Sequence, residues 1–377
     1  MQLSVWEKES FFAPKDLIIA GSGFVGLWCA YFLKKQYPKL SIAILERGII
    51  PTGASTRNAG FACFGSLTEL LEDTEKMGTD NMLQLVEKRY KGLQRIQKVF
   101  KKKQIDFSIC GGYDLLSDND QTKKKDLKEK IKWLNAQLAT VISEKKVFQF
   151  ADEKISMFGF RDIIHLVENK LEGSLHSGKL CQALMREVHA MGITLLNGIE
   201  ITGFEKHQQG IKVYTSKDIE LESGKLLVCT NAFAKQLLPG LDIIPARGQV
   251  LVTAPIRGLT INGTFHYDHG YYYFRNLGER LLIGGARNKA IEEETTTEAG
   301  TTNFIQTDLE QFLSHYILPG IQFKVTDRWS GIMGMGSEKM PLMKEVDENV
   351  FCAVRMSGMG VALAPEIGEK MGKMMFG

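Results

Sequence analysis

The chain has 377 residues, 44% of them apolar and 24% charged, so it has room for more than one domain and the composition of an ordinary globular protein. Lysine and arginine number 47 against 44 aspartates and glutamates, a balance that excludes a broad basic surface for nucleic acid. Its six cysteines (Cys29, Cys63, Cys110, Cys181, Cys229 and Cys352) contain no CxxC pair, which argues against a disulfide framework or a zinc centre.

In chain order, the segment before Leu17 has no long apolar stretch or cleavage signature, and no later run reaches the ~18 residues of a membrane span. A cytoplasmic location is therefore expected. The pattern then begins strand–helix–strand: Leu17–Ala20, a helix from about Gly23 to Tyr37, and Ser41–Leu45. From Leu67 to Lys145 apolar residues recur every three or four positions and predict helices. Within that stretch, "TKKKDLKEKIKWL" (Thr122 to Leu134) mixes both charge signs and reads as a solvated helix face. A further helix around Lys179–Met191 is followed by "GITLLNGIEITGFEKHQQGIKVYTS", which reads as strands joined by polar turns.

"GKLLVCTNAF" predicts a strand ending at Thr230–Asn231, and "GQVLVTAPI", "GYYYFRNLGERLLIGGAR" and "FKVTDRWSGIM" are β-rich and aromatic. The end, "SGMGVALAPEIGEKM", is a Gly-rich turn entering a helix. Nucleotide-type segments near both ends and the middle, separated by other material, imply two interleaved domains. The fold class is α/β (α+β overall), with one domain Rossmann-like and discontinuous. The other carries a mixed or antiparallel sheet plus helices.

Gly21, Gly23 and Gly26 spell G-x-G-x-x-G between the first strand and helix, so the cradle Gly21, Ser22, Gly23, Phe24, Val25, Gly26 is a dinucleotide candidate. Glu46 closes the second strand, where a carboxylate accepts from ribose hydroxyls; an acid there argues against NADP. NAD and FAD share this cradle, and the fingerprint leaves both open. The following loop, with Ser55, Thr56, Arg57 and Asn58, offers donors to an anionic ring or a second phosphate.

Five segments carry a family resemblance: "AGSGFVGLWCAYFLKK…AILERG", "GASTRNAGF", "GKLCQALMREVHAMGITLL", "LLVCTNAFAKQLLP…PARGQVLVTAP" and "SGMGVALAPEIGEKM". Together they resemble the D-amino-acid-oxidase superfamily of FAD-dependent oxidoreductases, which includes glycine and sarcosine oxidases. The resemblance implies FAD as cofactor, with Arg47, Ser55, Thr56, Arg57, Asn58, Ala59, Gly60, Thr230, Asn231, Gly358, Met359, Gly360 and Val361 near it. It also implies an FAD-binding domain of residues 1–68, 170–242 and 327–377, and a substrate domain of 69–169 and 243–326. Within the superfamily, "SVWEKESFF", "RNAGF" and "YYYFRNLGERLLIGGAR" before a "W-x-G-I" segment are similar to the gamma-glutamylputrescine oxidoreductase type.

Two departures matter. Glycine and D-amino-acid oxidases place an Arg after "W-x-G-x" to pair with the substrate carboxylate, where this chain has Met333. A methionine forms no bidentate ion pair. Sarcosine oxidases attach FAD through a Cys in this neighbourhood; residues 328–341 hold none, so noncovalent FAD is expected.

The implied reaction oxidises the C–N bond of an amine or N-substituted amino acid, with oxygen or a redox partner taking the electrons. Oxidation of a 2-hydroxy acid, or a catalytically degenerate flavoprotein, are the alternatives. Candidate substrate residues are Phe61, Tyr271, Tyr273, Arg275 and Met333. Strand alternation puts Tyr271, Tyr273 and Arg275 on one face and Tyr272 and Phe274 on the other, with Arg275 gripping a carboxylate. His266 and His269, in a predicted loop, are expected to be structural or surface residues, and no metal site is expected.

Overall fold

The structure is a computed structural model that describes residues 2–117, 124–208 and 210–377. The chain folds as two compact units: Met1–Arg57, Ser177–Ala246 and Ile332–Gly377 form the first, Asn58–His176 and Arg247–Gly331 the second.

In the first unit, Lys15–Ala20 pairs in parallel with Ile42–Glu46 on one edge and with Glu220–Val228 on the other. Thr194–Asn197 and Val350–Val354 extend this parallel core outward. Every residue from Ile42 to Glu46 is buried, as a parallel strand covered on both faces requires. Antiparallel strands Ile201–His207, Gly210–Thr215 and Leu342–Asp347 flank the parallel core. The helix Phe24–Gln36 packs closely on the C-terminal helix Gly360–Phe376: a Cβ on Gly368 would come within 2.7 Å of the Trp28 backbone.

The second unit is built on an eight-stranded, mostly antiparallel sheet, with strands in the order Val325–Met335, Ile244–Thr253, Arg280–Gly285, Tyr272–Leu277, Thr264–Tyr267, Gly112–Ser117, Ile163–Asn169 and Phe148–Phe150. One face buries Tyr113, Leu115, Phe265, Tyr272, Phe274 and Ile283 against the helix Asn303–Phe312. The Phe265 and Phe274 rings stack at 4.6 Å. By alternation the opposite face carries a row that the strand registers align: Val250, Gly284, Tyr273, His266 and Asp114.

Two sequence expectations change. The stretch 67–145 is not all helix: helices Leu67–Met77, Thr79–Val99 and Lys124–Leu138 are interrupted by the strand Gly112–Ser117, which long-range pairing with Ile163–Asn169 and Thr264–Tyr267 holds. The charged run Thr122–Leu134 keeps its expected solvated face: Thr122 and Lys123 lie outside the described residues, and the helix Lys124–Leu138 buries Leu127, Ile131, Leu134 and Leu138 along one stripe, with Lys125, Lys128, Lys130 and Lys132 exposed. The unit boundaries also shift. Residues 58–68 and 170–176 cluster with the second unit because Phe61–Ala62 and Ser108–Ile109 both pair with Gly173–Ser174. Residues 327–331 follow their strand into the second unit's sheet, whereas Ile243 is buried in the first unit's core.

Candidate functional site

The first unit builds its site around the turn from Ala20 into the helix Phe24–Gln36. Gly26 permits that turn, since a Cβ on it would lie 2.1 Å from the Gly21 carbonyl oxygen. Gly23, the residue before the helix, has no side chain to cap it, while Ser55 Oγ accepts from Phe24 N–H at 2.8 Å. Phe24 and Val25 are buried in the first turn.

Glu46 sits at the end of its strand with its carboxylate already oriented. Oε2 accepts from Ser22 N–H and Ser22 Oγ, each at 3.1 Å, and Oε1 accepts from Gly48 N–H at 2.9 Å. The Arg47 guanidinium lies 4.0 Å over the Phe233 ring. Thr56 Oγ1 donates to the Pro51 carbonyl and Arg57 Nε to the Thr52 carbonyl at 2.7 Å, so both brace their own loop.

The later segments meet at a strained turn. Asn231 (φ 47°), Arg355 (φ 63°), Ser357 (φ 47°) and Gly358 (φ 81°) all have left-handed backbone, which costs non-glycine residues energy and is held only by surrounding bonds. Those bonds are visible: Asn231 Oδ1 accepts from Arg355 N–H at 3.0 Å, and Ser357 N–H donates to the Gly334 carbonyl at 3.1 Å. The turn delivers Met359, whose side chain does not cap the helix Gly360–Phe376, and Val361 is buried in that helix's first turn. Met333 Sδ packs 3.6 Å from the space beside Gly358. Thr230 Oγ1 and Ser357 Oγ are buried without a protein partner.

This geometry fits a dinucleotide flavin. Two helices of 13 and 17 residues start without caps of their own, the Gly21–Gly26 backbone admits close approach, and the orphaned hydroxyls of Thr230 and Ser357 need a partner.

In the second unit, Asn58 Oδ1 accepts from Gly60 N–H at 2.9 Å. Gly60 (φ 72°) lies where a Cβ would stand 2.3 Å from the Leu175 carbonyl oxygen, so this position requires glycine. The Phe61 ring meets His266 edge-on at 5.2 Å and Tyr273 at 5.9 Å. Burial pushes the Tyr273 phenol up to about 12, so it remains an O–H donor at neutral pH. Burial likewise drops His266 to about 4, leaving a neutral imidazole, and raises the Asp114 carboxyl to about 6.

Two of the candidate substrate residues make contacts that strand alternation alone does not foresee. Arg275 Nη1 donates to the carbonyls of Gly60 at 2.7 Å, Leu175 at 2.9 Å and Ala59 at 3.4 Å, and Nε to that of Asn276 at 3.2 Å. It clamps the Ala59–Gly60 backbone rather than presenting a free fork to a carboxylate. Tyr271 does not share the Tyr273 face: the Asp268–Gly270 turn, with positive φ at all three residues, precedes the strand Tyr272–Leu277 and leaves Tyr271 packed against the core.

Sequence reasoning did not single out Asp114, Arg89 and Glu172, and it placed His266 in a loop, whereas His266 is buried on the strand Thr264–Tyr267. For His266 a signal existed. It lies next to Phe265, whose core packing fixes the alternation of the strand Thr264–Tyr267.

Comparison with known proteins now fits what the geometry shows. The model of the family described as "DAO: FAD dependent oxidoreductase" matches residues 16–374, and the chain belongs to that family. It is an FAD-dependent oxidoreductase. Among curated relatives it is 22% identical to a probable oxidoreductase OrdL of Haemophilus influenzae, over 96% of this chain and 83% of that one. It is 21% identical to sarcosine oxidase subunit beta of Rhizobium meliloti, over 87% of this chain and 76% of that one. Among solved structures, glycine oxidase from Geobacillus kaustophilus shares the fold with a TM-score of 0.77 at 18% identity, covering 97% and 96% of the two chains. L-proline dehydrogenase from P. horikoshii also gives 0.77 at 18% identity, covering 96% and 93%. Among the described residues no helix is long and apolar enough to cross a membrane.

Replacing Glu46 by alanine is expected to weaken FAD binding by about 2 kcal/mol, the loss of a hydrogen bond to a charged acceptor. Titration of apoprotein with FAD, followed by flavin fluorescence, measures this. Unchanged affinity would remove Glu46 as a ribose ligand.

Proposed function

We propose that this oxidoreductase oxidises the C–N bond of a small amine by hydride transfer to noncovalently bound FAD. The observation that carries the choice of substrate is the engagement of Arg275. Its Nη1 and Nε donate to backbone carbonyls, so it has no free bidentate fork, and Met333 stands where relatives place an Arg. Neither offers a free bidentate fork to an α-carboxylate, which favours an amine over a 2-hydroxy acid, and over an amino acid held by its carboxylate. The printed names of relatives and neighbours (sarcosine oxidase, glycine oxidase, L-proline dehydrogenase, iminodiacetate oxidase) support C–N chemistry as the class.

Bound FAD would supply the two-electron acceptor for the hydride. The chain's own residues hold it and shape the substrate. Glu46 would take the ribose hydroxyls, Arg47 and Phe233 would flank the adenine side, and the uncapped helix starts at Gly23 and Met359 would face the pyrophosphate and the flavin. Ser55, Thr56, Arg57, Asn58, Ala59 and Gly60 would shape the loop around the cofactor. Thr230, Asn231, Gly358, Gly360 and Val361 would complete its surround. Within the second unit, Phe61 and Tyr273 would offer substrate an apolar surface, with the protonated Tyr273 hydroxyl as a donor; within the first, Met333 would offer an apolar surface of its own. A neutral apolar wall favours the unprotonated amine, whose lone pair is needed as the C–H bond breaks. FAD would be held noncovalently, since residues 328–341 contain no cysteine to attach it.

Anaerobic mixing with a panel of primary and secondary amines, N-methyl amino acids and 2-hydroxy acids tests this reading. Bleaching of flavin absorbance by amines lacking an α-carboxylate is expected. Bleaching only by hydroxy acids would replace the reading, and no bleaching by any class would point to a degenerate flavoprotein. Readmitting oxygen or an artificial acceptor then shows which takes the electrons.

A further inference from the structure

Two glycines outside the Gly21–Gly26 cradle stand close together in "MGMGSEKMP", at positions 334 and 336. Each leaves room for a side chain of the strained arrangement that precedes the C-terminal helix. A Cβ on Gly334 would stand 2.6 Å from Asn231 Oδ1, and one on Gly336 would stand 2.4 Å from Arg355 Cδ. Arg355 is 5% exposed and has a left-handed backbone (φ 63°) that an arginine rarely adopts. Its side chain passes over Gly336 and ends among several acceptors. Nε donates to the Met340 carbonyl at 3.0 Å, Nη1 to Asp242 Oδ2 and, at 3.4 Å, to the Asp242 carbonyl, and Nη2 to Glu338 Oε2 at 3.4 Å. Asp242 is fixed in turn by Ser337, whose N–H and Oγ donate to its Oδ2 at 3.1 and 2.6 Å. All of these residues belong to the first unit.

We propose that Arg355 is a positioning residue for FAD: its guanidinium ties residues 336–340 and Asp242 to the Arg355–Gly358 turn, and this tie sets the direction in which the turn presents the start of the helix Gly360–Phe376 to the flavin end of the cofactor. The inference rests on the proposed placement of Gly358, Gly360 and Val361 beside FAD.

Positive φ at Arg355, Ser357 and Gly358 persists only where surrounding bonds hold it. The main chain of the turn has its own anchors: Asn231 Oδ1 accepts from Arg355 N–H at 3.0 Å and from Met356 N–H at 3.4 Å, and Ser357 N–H donates to the Gly334 carbonyl at 3.1 Å. The guanidinium adds an anchor to the segment that follows Gly336. An arginine suits that task because its planar fork reaches a main-chain carbonyl and two carboxylates in different directions, which a lysine ammonium does not. The Arg355 side chain is 6% exposed, whereas those of Asp242 and Glu338 are 44% and 73% exposed. Ion pairs whose carboxylates reach water are screened and contribute little. The bond to the Met340 carbonyl and the close passage over Gly336 therefore carry most of the tie, and salt should change it little.

Two variants cut the tie in different ways. Arg355→Gly removes the guanidinium while glycine accepts the left-handed backbone without strain. Gly336→Ala keeps the arginine but puts a methyl group where Arg355 Cδ lies. The test measures dissociation constants of the apoprotein for FAD and for ADP by calorimetry, alongside amide exchange protection of residues 355–361 without ligand. ADP is the half of FAD that Glu46 and the Gly21–Gly26 backbone would hold, so it reports on the rest of the cofactor site. In both variants FAD binding should weaken roughly thirtyfold, equivalent to ~2 kcal/mol. ADP binding should change less than threefold, and protection of 355–361 should fall. Arg355→Lys should recover part of the FAD affinity. The double variant should bind FAD no more weakly than either single one, because both break the same contact. Equal losses for FAD and ADP would overturn a positioning role in favour of general stability, and unchanged protection in both variants would show that Arg355 does not hold the turn. Falling protection with wild-type FAD affinity would instead remove Gly358, Gly360 and Val361 from the cofactor site, and the proposal with them. Where Arg355→Gly fails to fold, Gly336→Ala carries the same comparison.

Discussion

Alanine at Gly26 is expected to yield protein that purifies without FAD and melts below the wild type. The new Cβ would stand 2.1 Å from the Gly21 carbonyl oxygen and 3.3 Å from the Ile19 side chain. Neither backbone partner has room to retreat. Gly21 is fixed by its N–H bond to the Leu45 carbonyl at 2.8 Å and by a φ of 97°, and the helix that carries Gly26 is packed around the fully buried Trp28. Overpacking of this kind typically costs about 1–3 kcal/mol. The upper end is expected because the closest clashing group, the Gly21 carbonyl, is main chain. The same displacement separates the helix start from the Gly21 turn, so FAD affinity should fall about a hundredfold, equivalent to ~2.8 kcal/mol. Alanine at Gly53 is the matched control, since a Cβ there meets nothing within 4 Å. Stoichiometric FAD and an unchanged melting temperature in Gly26→Ala would show that this turn does not cradle the cofactor as described.

What the sequence revealed, and what it hid, divides along the range of the interactions. The strand–helix–strand at Lys15–Glu46 was legible because its glycines, apolar runs and Glu46 act within thirty-odd residues of one another. The strand Gly112–Ser117 was hidden because nothing local distinguishes "GYDLLS" inside a helical stretch; its identity comes from partners roughly fifty and a hundred and fifty residues away. His266 was read as part of a loop because "HYDHG" carries turn-forming residues, and only its register with Tyr273 and Asp114 makes it a strand position. Arg89 left a readable trace. It falls on the same helical stripe as Met82, Leu85, Val86, Leu93 and Ile96, all buried, so a cation at an apolar position was there to be noticed. Glu172, whose carboxyl accepts from the Phe64 and Gly65 N–H groups, left none, since the bonds that hold it come from a segment more than a hundred residues earlier.

Arg275 separates a clamp from a substrate ligand most sharply. A residue that only gripped substrate would, on truncation to alanine, raise KM while leaving the folded protein untouched. As a clamp, its loss deprives the Leu175, Gly60 and Ala59 carbonyls of a charged donor inside a site where Arg275 itself is 9% exposed. Hydrogen bonds to charged groups contribute about 1.5–3 kcal/mol, and buried carbonyls left without partners add to the cost. Arg275→Ala should therefore lower unfolding free energy by about 3 kcal/mol in urea titration of the apoprotein, where no substrate is present. Lysine should recover only part of that, because a point charge cannot match the fork that reaches Gly60 and Leu175 together. Through Gly60 the loss should reach the Asn58–Phe61 segment, so FAD affinity should fall in step with stability. An apoprotein as stable as the wild type, with KM for an anionic substrate alone raised, would return Arg275 to the role of carboxylate ligand and reopen amino acids as substrates.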